Sequence, residues 1–351
     1  MIRTLWLAAL LGSLFLSASA GAADSPATTV LLTGLDTPWS VAVQPSTFDV
    51  FVSESGAGRV IRTTPGDKKE PQPFITGFAT KSYGQNPTYK VGPLGLAFID
   101  REMLVVGGGD LGLGADLVRI YSVPERDKEK LPLGVDDTKS FGEGKSNGKL
   151  GPVAAGSLSK TGEGLYFSVA ANATNIFAIG QGDPEKGWIL KADLVAGKPG
   201  PLSTTFCSTK KEGDVSLPFC LTLSKRGEVV VGTRSPADKP HSAVLAFYHG
   251  RNGKLLLQMN TGLNEIAGLA YSAHGNLYAI DASPHEPAQA GLYRLDDNGK
   301  GAVKPVKIAA LDRPTSLAAM PDGTALLVTI LGKYPADSND KPGQLLQFKG
   351  L

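Results

Sequence analysis

Six segments of this chain share one spacing of small residues, and that repetition constrains the fold more than any other feature. They are Pro38-Trp39-Ser40-Val41-Ala42, Pro93-Leu94-Gly95-Leu96-Ala97, Pro152-Val153-Ala154-Ala155-Gly156, Pro218-Phe219-Cys220-Leu221-Thr222, Ile266-Ala267-Gly268-Leu269-Ala270 and Pro314-Thr315-Ser316-Leu317-Ala318. Each puts a small residue at positions three and five with an apolar residue between them, and all but one open with proline. Self-similarity at intervals of roughly 50 residues marks a propeller or a solenoid.

Strand signals follow each segment. Runs rich in β-branched or aromatic residues lie at 48–53, 103–106, 165–170, 228–232, 276–280 and 324–330. They are reached through turn-forming sequences such as Ser224-Lys225-Arg226-Gly227 and Pro321-Asp322-Gly323. Third strands are expected at 59–63, 117–123, 188–192, 243–248, 292–295 and 344–348. Fourth strands are visible at 73–76, 203–206, 255–259 and 306–309, and the one in unit two is poorly defined. No segment of helical length sustains a 3.6-residue period. The expected fold is an all-β, six-bladed β-propeller with four antiparallel strands per blade. The sixth unit stops after its third strand, so residues 28–33 are expected to supply its outer strand and close the ring. Long loops are expected at 172–187, inside blade three, and at 80–92, which carries Tyr83, Asn86 and Tyr89.

The first residues stand apart from this pattern. Arg3, an apolar run over 5–18 and the small residues that follow read as a secretory signal over 1–23, leaving 24–351 as a single propeller domain. The apolar run is short for a membrane span and no second one exists, so the expectation is a secreted or periplasmic protein without stable membrane insertion. The 35 basic and 33 acidic residues nearly balance. That argues against the basic stripe a nucleic-acid partner requires. Residues 125–130 mix both signs and read as a solvated loop. Cys207 and Cys220 leave two readings open: a disulfide suited to export, or thiols filling small apolar sites, as the position of Cys220 in its repeat suggests.

The unit Gly34-Leu35, Pro38, Val41-Ala42, Val50-Phe51-Val52-Ser53-Glu54 and Gly58-Arg59-Val60-Ile61-Arg62 resembles NHL-type repeats. The plan recurs from Gly262-Leu263 through Gly291-Leu292-Tyr293-Arg294. The resemblance extends to the gluconolactonase and regucalcin-like superfamily of six-bladed propellers, whose members include lactonases, quinone-dependent sugar dehydrogenases and binding modules. It implies that ligands are met at one mouth of the axial channel, where the loops after each second strand and the residues leading into each first strand converge. Here those positions include Glu54, Asp110, Asn172, Arg234 and Asp281, together with Glu265 and Arg313. Glu54, Asp110, Asn172 and Asp281 could hold one divalent cation, calcium or similar, through oxygen ligands. Such an ion would act as a Lewis acid on a lactone or ester carbonyl. Arg234 and Arg313 could instead pair with a carboxylate or phosphate on a ligand. Each of these residues also has a structural reading, as a turn cap or a local ion-pair partner.

The resemblance is incomplete at the chemistry. The lactonases place oxygen ligands in their inner strands, where this chain has Trp39-Ser40, Phe219-Cys220 and Ala267-Gly268. Among the histidines, only His285 is expected near the mouth. Gly107-Gly108-Gly109-Asp110-Leu111-Gly112 fits a dinucleotide-binding spacing, but a strand follows it and not a helix. Asn172-Ala173-Thr174 fits a glycosylation acceptor. Two functions are therefore expected. One is a binding or scaffold propeller taking a small polar molecule or a protein segment at its mouth. The other is a metal-assisted lactone or ester hydrolase. A structural role in a larger assembly, through the polar loops of 125–150, is a third.

Overall fold

The structure is a computed structural model that describes residues 26–67, 69–84, 88–124, 130–142, 148–183, 186–299, 302–333 and 341–351. The segment expected to be an export signal (1–23), Asn86 and most of the mixed-charge loop at 125–130 lie outside the described residues. Six antiparallel sheets radiate from one axis, and the chain is a six-bladed β-propeller. Blade one runs outward through Pro38–Val43, Val50–Glu54, Arg59–Thr63 and Gln72–Thr76. Blades four and five repeat this order in Pro218–Leu223, Val229–Thr233, Val244–Tyr248, Leu255–Asn260 and in Ile266–Tyr271, Leu277–Asp281, Gly291–Asp297, Val303–Ala310. In blade six, Pro314–Ala319, Ala325–Ile330 and Gly343–Lys349 are completed by the N-terminal strand Ala27–Leu35, with Ala27 opposite Lys349 and Leu35 opposite Gly343. The ring is thus closed by backbone hydrogen bonds between the two ends of the propeller.

The small residues at position three have two physical roles. In blades one, three and six they are serines whose hydroxyls receive the position-four amide of the next blade: Leu96 N to Ser40 Oγ at 3.0 Å, Leu221 N to Ser168 Oγ at 2.9 Å and Val41 N to Ser316 Oγ at 3.3 Å. In blades two and five they are glycines against the neighbouring backbone. A Cβ on Gly95 would lie 2.9–3.0 Å from three backbone atoms of blade three, and one on Gly268 would lie 3.0 Å from Leu317 N. Position four packs the other way, so that Val41, Leu96, Leu221, Leu269 and Leu317 enter the apolar layers between blades.

Blade three departs from the expectation. Residues 152–156 form no strand, and all but Val153 are exposed. The innermost strand is Val169–Ala171, followed by Asn175–Ile179, Trp188–Val195 and Ser203–Ser208. The repeat unit is Tyr166-Phe167-Ser168-Val169-Ala170, with serine and alanine at positions three and five but tyrosine where the other blades have proline or isoleucine. Its backbone confirms the alignment. Leu165 leads into the strand at φ 49°, as Thr37, Leu217 and Arg313 lead into theirs at 51–52°. The expected loop at 172–187 therefore contains a strand.

Blade two ends in the short outer strand Lys149–Leu150, after Pro93–Phe98, Met103–Gly108 and Val118–Ser122. Upstream of that outer strand, Leu133 and Gly134 pair in parallel with Ile75 and Thr76, covering the edge of blade one. Cys207 and Cys220 are free buried thiols on the outer strand of blade three and the innermost strand of blade four. The disulfide alternative does not hold. Burial pushes the Cys207 thiol up to about 12.

Candidate functional site at the axial mouth

The innermost strands share a defect that builds the site. Pairing with the second strand slips between positions one and three in blades one, four, five and six, so Trp39, Phe219, Ala267 and Thr315 are skipped by the ladder. Such a bulge re-aims the extra side chain. These residues, with Phe167 of blade three, converge on one end of the channel and line a cavity of about 270 Å³. The Trp39 and Phe167 rings lie 4.8 Å apart, and Phe167 and Phe219 lie 5.5 Å apart. A two-stranded hairpin, Lys81–Tyr83 with Tyr89–Val91, brings two more rings to this floor. Tyr89 meets Trp39 edge-on at 5.6 Å, and Tyr83 sits 5.7 Å from Phe167.

The charged groups of this chamber come from blades four, five and six. The Arg234 guanidinium stacks 4.6 Å above the Phe219 ring, and its Nη2 donates to Gln181 Oε1 at 3.1 Å. Its Nε is buried without an acceptor among the described residues. Arg234 and Glu265 are bridged through their backbones. The Glu265 carboxylate is half-buried and receives no side-chain or backbone donor among the described residues. Burial raises its pKa above the ordinary 4.5; Asp281 adds to the rise, and Arg234 and His285 oppose it. Tyr89 is raised by burial and by Glu265, against the pull of Arg313. Arg313 donates from Nε and Nη2 to Gly332 O.

Of the seven residues expected from the sequence, Arg234, Glu265 and Arg313 line the chamber. The others are engaged elsewhere. Glu54 is buried, with Oε1 accepting from Asp36 N at 2.9 Å and Oε2 from Arg59 Nε at 2.6 Å. Asp110 is clamped by two parallel bonds of 2.9 Å from Arg119. Asp281 accepts from the backbone amides of Asn264, Glu265 and Ser283. Asn172 lies at the opposite end of its blade, in the turn between the first and second strands, where its Oδ1 caps Thr174 and Asn175. Its expected place at the mouth followed from the misaligned blade three, and the corresponding residue there is Gln181. The four expected metal ligands are thus not brought together, and among the described residues no group of three or more His, Cys, Asp or Glu side chains is placed to hold a metal ion. Gly107 and Gly108 serve packing: a Cβ on Gly107 would lie 2.4 Å from Tyr166 O, and one on Gly108 2.7 Å from Asp110 Oδ1.

The aromatic floor was missed in the sequence because its residues lie next to the repeat's small positions and read as core. Their signal in the sequence is the large ring at position two, in Trp39 and Phe219, directly after the proline.

A second cavity, of about 600 Å³, adjoins the chamber between the mouth loops of blades four and five. Arg234, Glu265, Pro284 and His285 line both.

No protein-family model and no curated protein matches this chain. Solved structures do. The PQQ-bound form of aldose sugar dehydrogenase from Streptomyces coelicolor is similar, with 15% identity and a TM-score of 0.58 over 92% of this chain and 98% of that one. A Thermus thermophilus protein described as an oxidoreductase of the glucose dehydrogenase kind shows 16% identity and a TM-score of 0.57, over 92% and 99% of the two chains. A Bacteroides thetaiotaomicron protein of unknown function shows 13% and 0.52, over 93% and 72%. At these identities the likeness shows the six-bladed fold.

Proposed function

We propose that this protein is an exported ligand-binding propeller whose axial mouth takes a small molecule with one flat apolar face and one polar edge. The observation that carries the reading is the make-up of the chamber: rings of Trp39, Phe167 and Phe219 together with Arg234, stacked on Phe219, and Glu265, both with unused hydrogen-bonding capacity. Flat apolar walls with a few convergent polar groups are what a small-molecule site requires. An unsatisfied buried donor is costly, and a ligand that lets the Arg234 side chain settle onto an acceptor would relieve that cost. The N-terminal residues 1–23 support export.

The experiment is a fluorescence and calorimetric titration with flat polar-edged compounds, PQQ included because the Streptomyces structure holds it, and with sugars and lactones. Saturable quenching of Trp39, lost in Trp39→Leu, is expected for at least one class of compound. Failure of every class to perturb Trp39 would remove the reading. The hydrolase reading would require Glu54, Asp110 and Asp281 to release their present partners. Stoichiometric divalent metal in the purified protein, lost in Asp281→Ala, would favour it.

A further inference from the structure

The two cavities at the mouth share a wall, and that wall has a chemistry of its own. Arg234 offers hydrogen-bond donors and Glu265 offers acceptors, side by side on bridged backbones. The two side chains act on each other electrostatically without forming a direct hydrogen bond. A ligand carboxylate placed between them would gain Arg234 and meet repulsion from Glu265; an ammonium group would meet the reverse. A neutral amide satisfies both, its carbonyl accepting from Arg234 and its N–H donating to Glu265.

Beyond this neck the cleft has a largely apolar wall. Its sides include Leu217, Pro236, Ala237, Pro240 and Pro284. Several polar residues there hold the loops: Asn264 Oδ1 accepts from His241 N at 2.8 Å, Asn264 Nδ2 donates to Ser283 Oγ at 3.1 Å, and Ser235 Oγ accepts from Ser242 N at 3.0 Å, while His285 faces both cavities. His241 Nε2 lies 3.3 Å from Glu286 Oε2. The cleft is therefore prepared for an apolar extension.

Resting on the small-molecule reading above, we propose that chamber and cleft form one two-lobed site for an aromatic amide. The flat head stacks on Trp39 and Phe167, the amide spans Arg234 and Glu265, and an apolar substituent on nitrogen lies between Pro236 and Pro284.

The test uses calorimetry on the full chain with 2-naphthamide, N-benzyl-2-naphthamide and sodium 2-naphthoate. The benzyl amide is expected to bind at least tenfold tighter than 2-naphthamide, and both amides tighter than 2-naphthoate. Ala237 is exposed, so Ala237→Trp should fold normally and fill the cleft. It is expected to abolish the benzyl gain while leaving 2-naphthamide affinity unchanged, which also confirms an intact chamber. Glu265→Gln should raise 2-naphthoate affinity relative to the amides. If 2-naphthamide binds but the benzyl group adds nothing, or if Ala237→Trp leaves the gain intact, the two-lobed site is overturned while the chamber stands. If no probe binds and Trp39 is undisturbed, both readings fall.

Discussion

Blades one and two carry acids at the mouth that are closed by arginines, whereas blades four and five carry an arginine and an acid that remain open. Glu54, Asp110 and Arg234 close or follow the second strands of their blades, and Glu265 leads into the first strand of blade five. In blade one, Glu54 lies directly across the ladder from Arg59, and the pair closes at 2.6 Å. In blade two, Asp110 is held by Arg119 from the third strand, both side chains nearly fully buried. In blade five the third strand offers Gly291 opposite Asp281, so that acid turns to backbone amides. Glu265, one strand end away, has the same charge and no such closure. Repeat position says where a charge stands; a partner within the same blade decides whether it is available.

Breaking the closed pair should have the largest effect. Arg119→Met strands a buried carboxylate and is expected to cost about 3–5 kcal/mol in denaturant unfolding. Arg234→Met should cost about 1 kcal/mol, the scale of a partly desolvated cation–π contact, while weakening ligand binding at least tenfold. Equal stability losses in the two variants would erase the contrast between closed and open mouths. The hub comes next. Gly268→Leu forces a side chain against Leu317 N and the Ile280 side chain and should cost on the order of 1–3 kcal/mol. Ser168→Ala removes the acceptor for Leu221 N and should cost about 1 kcal/mol. An unchanged melting temperature in either variant would contradict the packing of neighbouring innermost strands.

Much of the fold was legible because crowding at an axis leaves a compositional trace. Ser40, Gly95, Cys220, Gly268 and Ser316 are small for a reason that repeats, and alternation does the rest. Blade three was misplaced because its first strand has lost the proline cue. Tyr166 stands there, fully buried, while Pro152 begins a look-alike on an exposed segment. The site was less legible for a different reason. Arg234, Glu265 and Arg313 could be placed at the mouth from the repeat alone. That Glu54 and Asp110 were occupied depended on an arginine in the third strand of the same blade, and that Trp39 and Phe219 faced the cavity depended on a bulge, which adds no residue type of its own.

The smallest expected effect separates a buried acid, Glu163, from the half-buried Glu265 by pH. Burial raises the pKa of both Glu163 and Glu265 above 4.5. Glu163 retains donors, Ser159 Oγ at 2.7 Å and Gly182 N at 3.1 Å, whereas Glu265 has none among the described residues. A carboxyl group raised in the folded state binds its proton more tightly there than in the unfolded chain. Its contribution is therefore fully present below the unfolded value and is lost as pH rises through the folded one. Wild type should lose a little stability as pH climbs from about 4.3, the unfolded reference, through the raised folded values. Glu265→Gln should flatten that slope and slightly raise the melting temperature at neutral pH, since it removes a charge with no donor. Glu163→Gln should flatten it too but lower the melting temperature, because a glutamine cannot receive both donors with a charged group's strength. Melting temperatures of the three proteins between pH 4.5 and 7 decide the point. If Glu265→Gln destabilises as Glu163→Gln does, Glu265 is a closed structural acid like Glu54, and the mouth at blades four and five is not open.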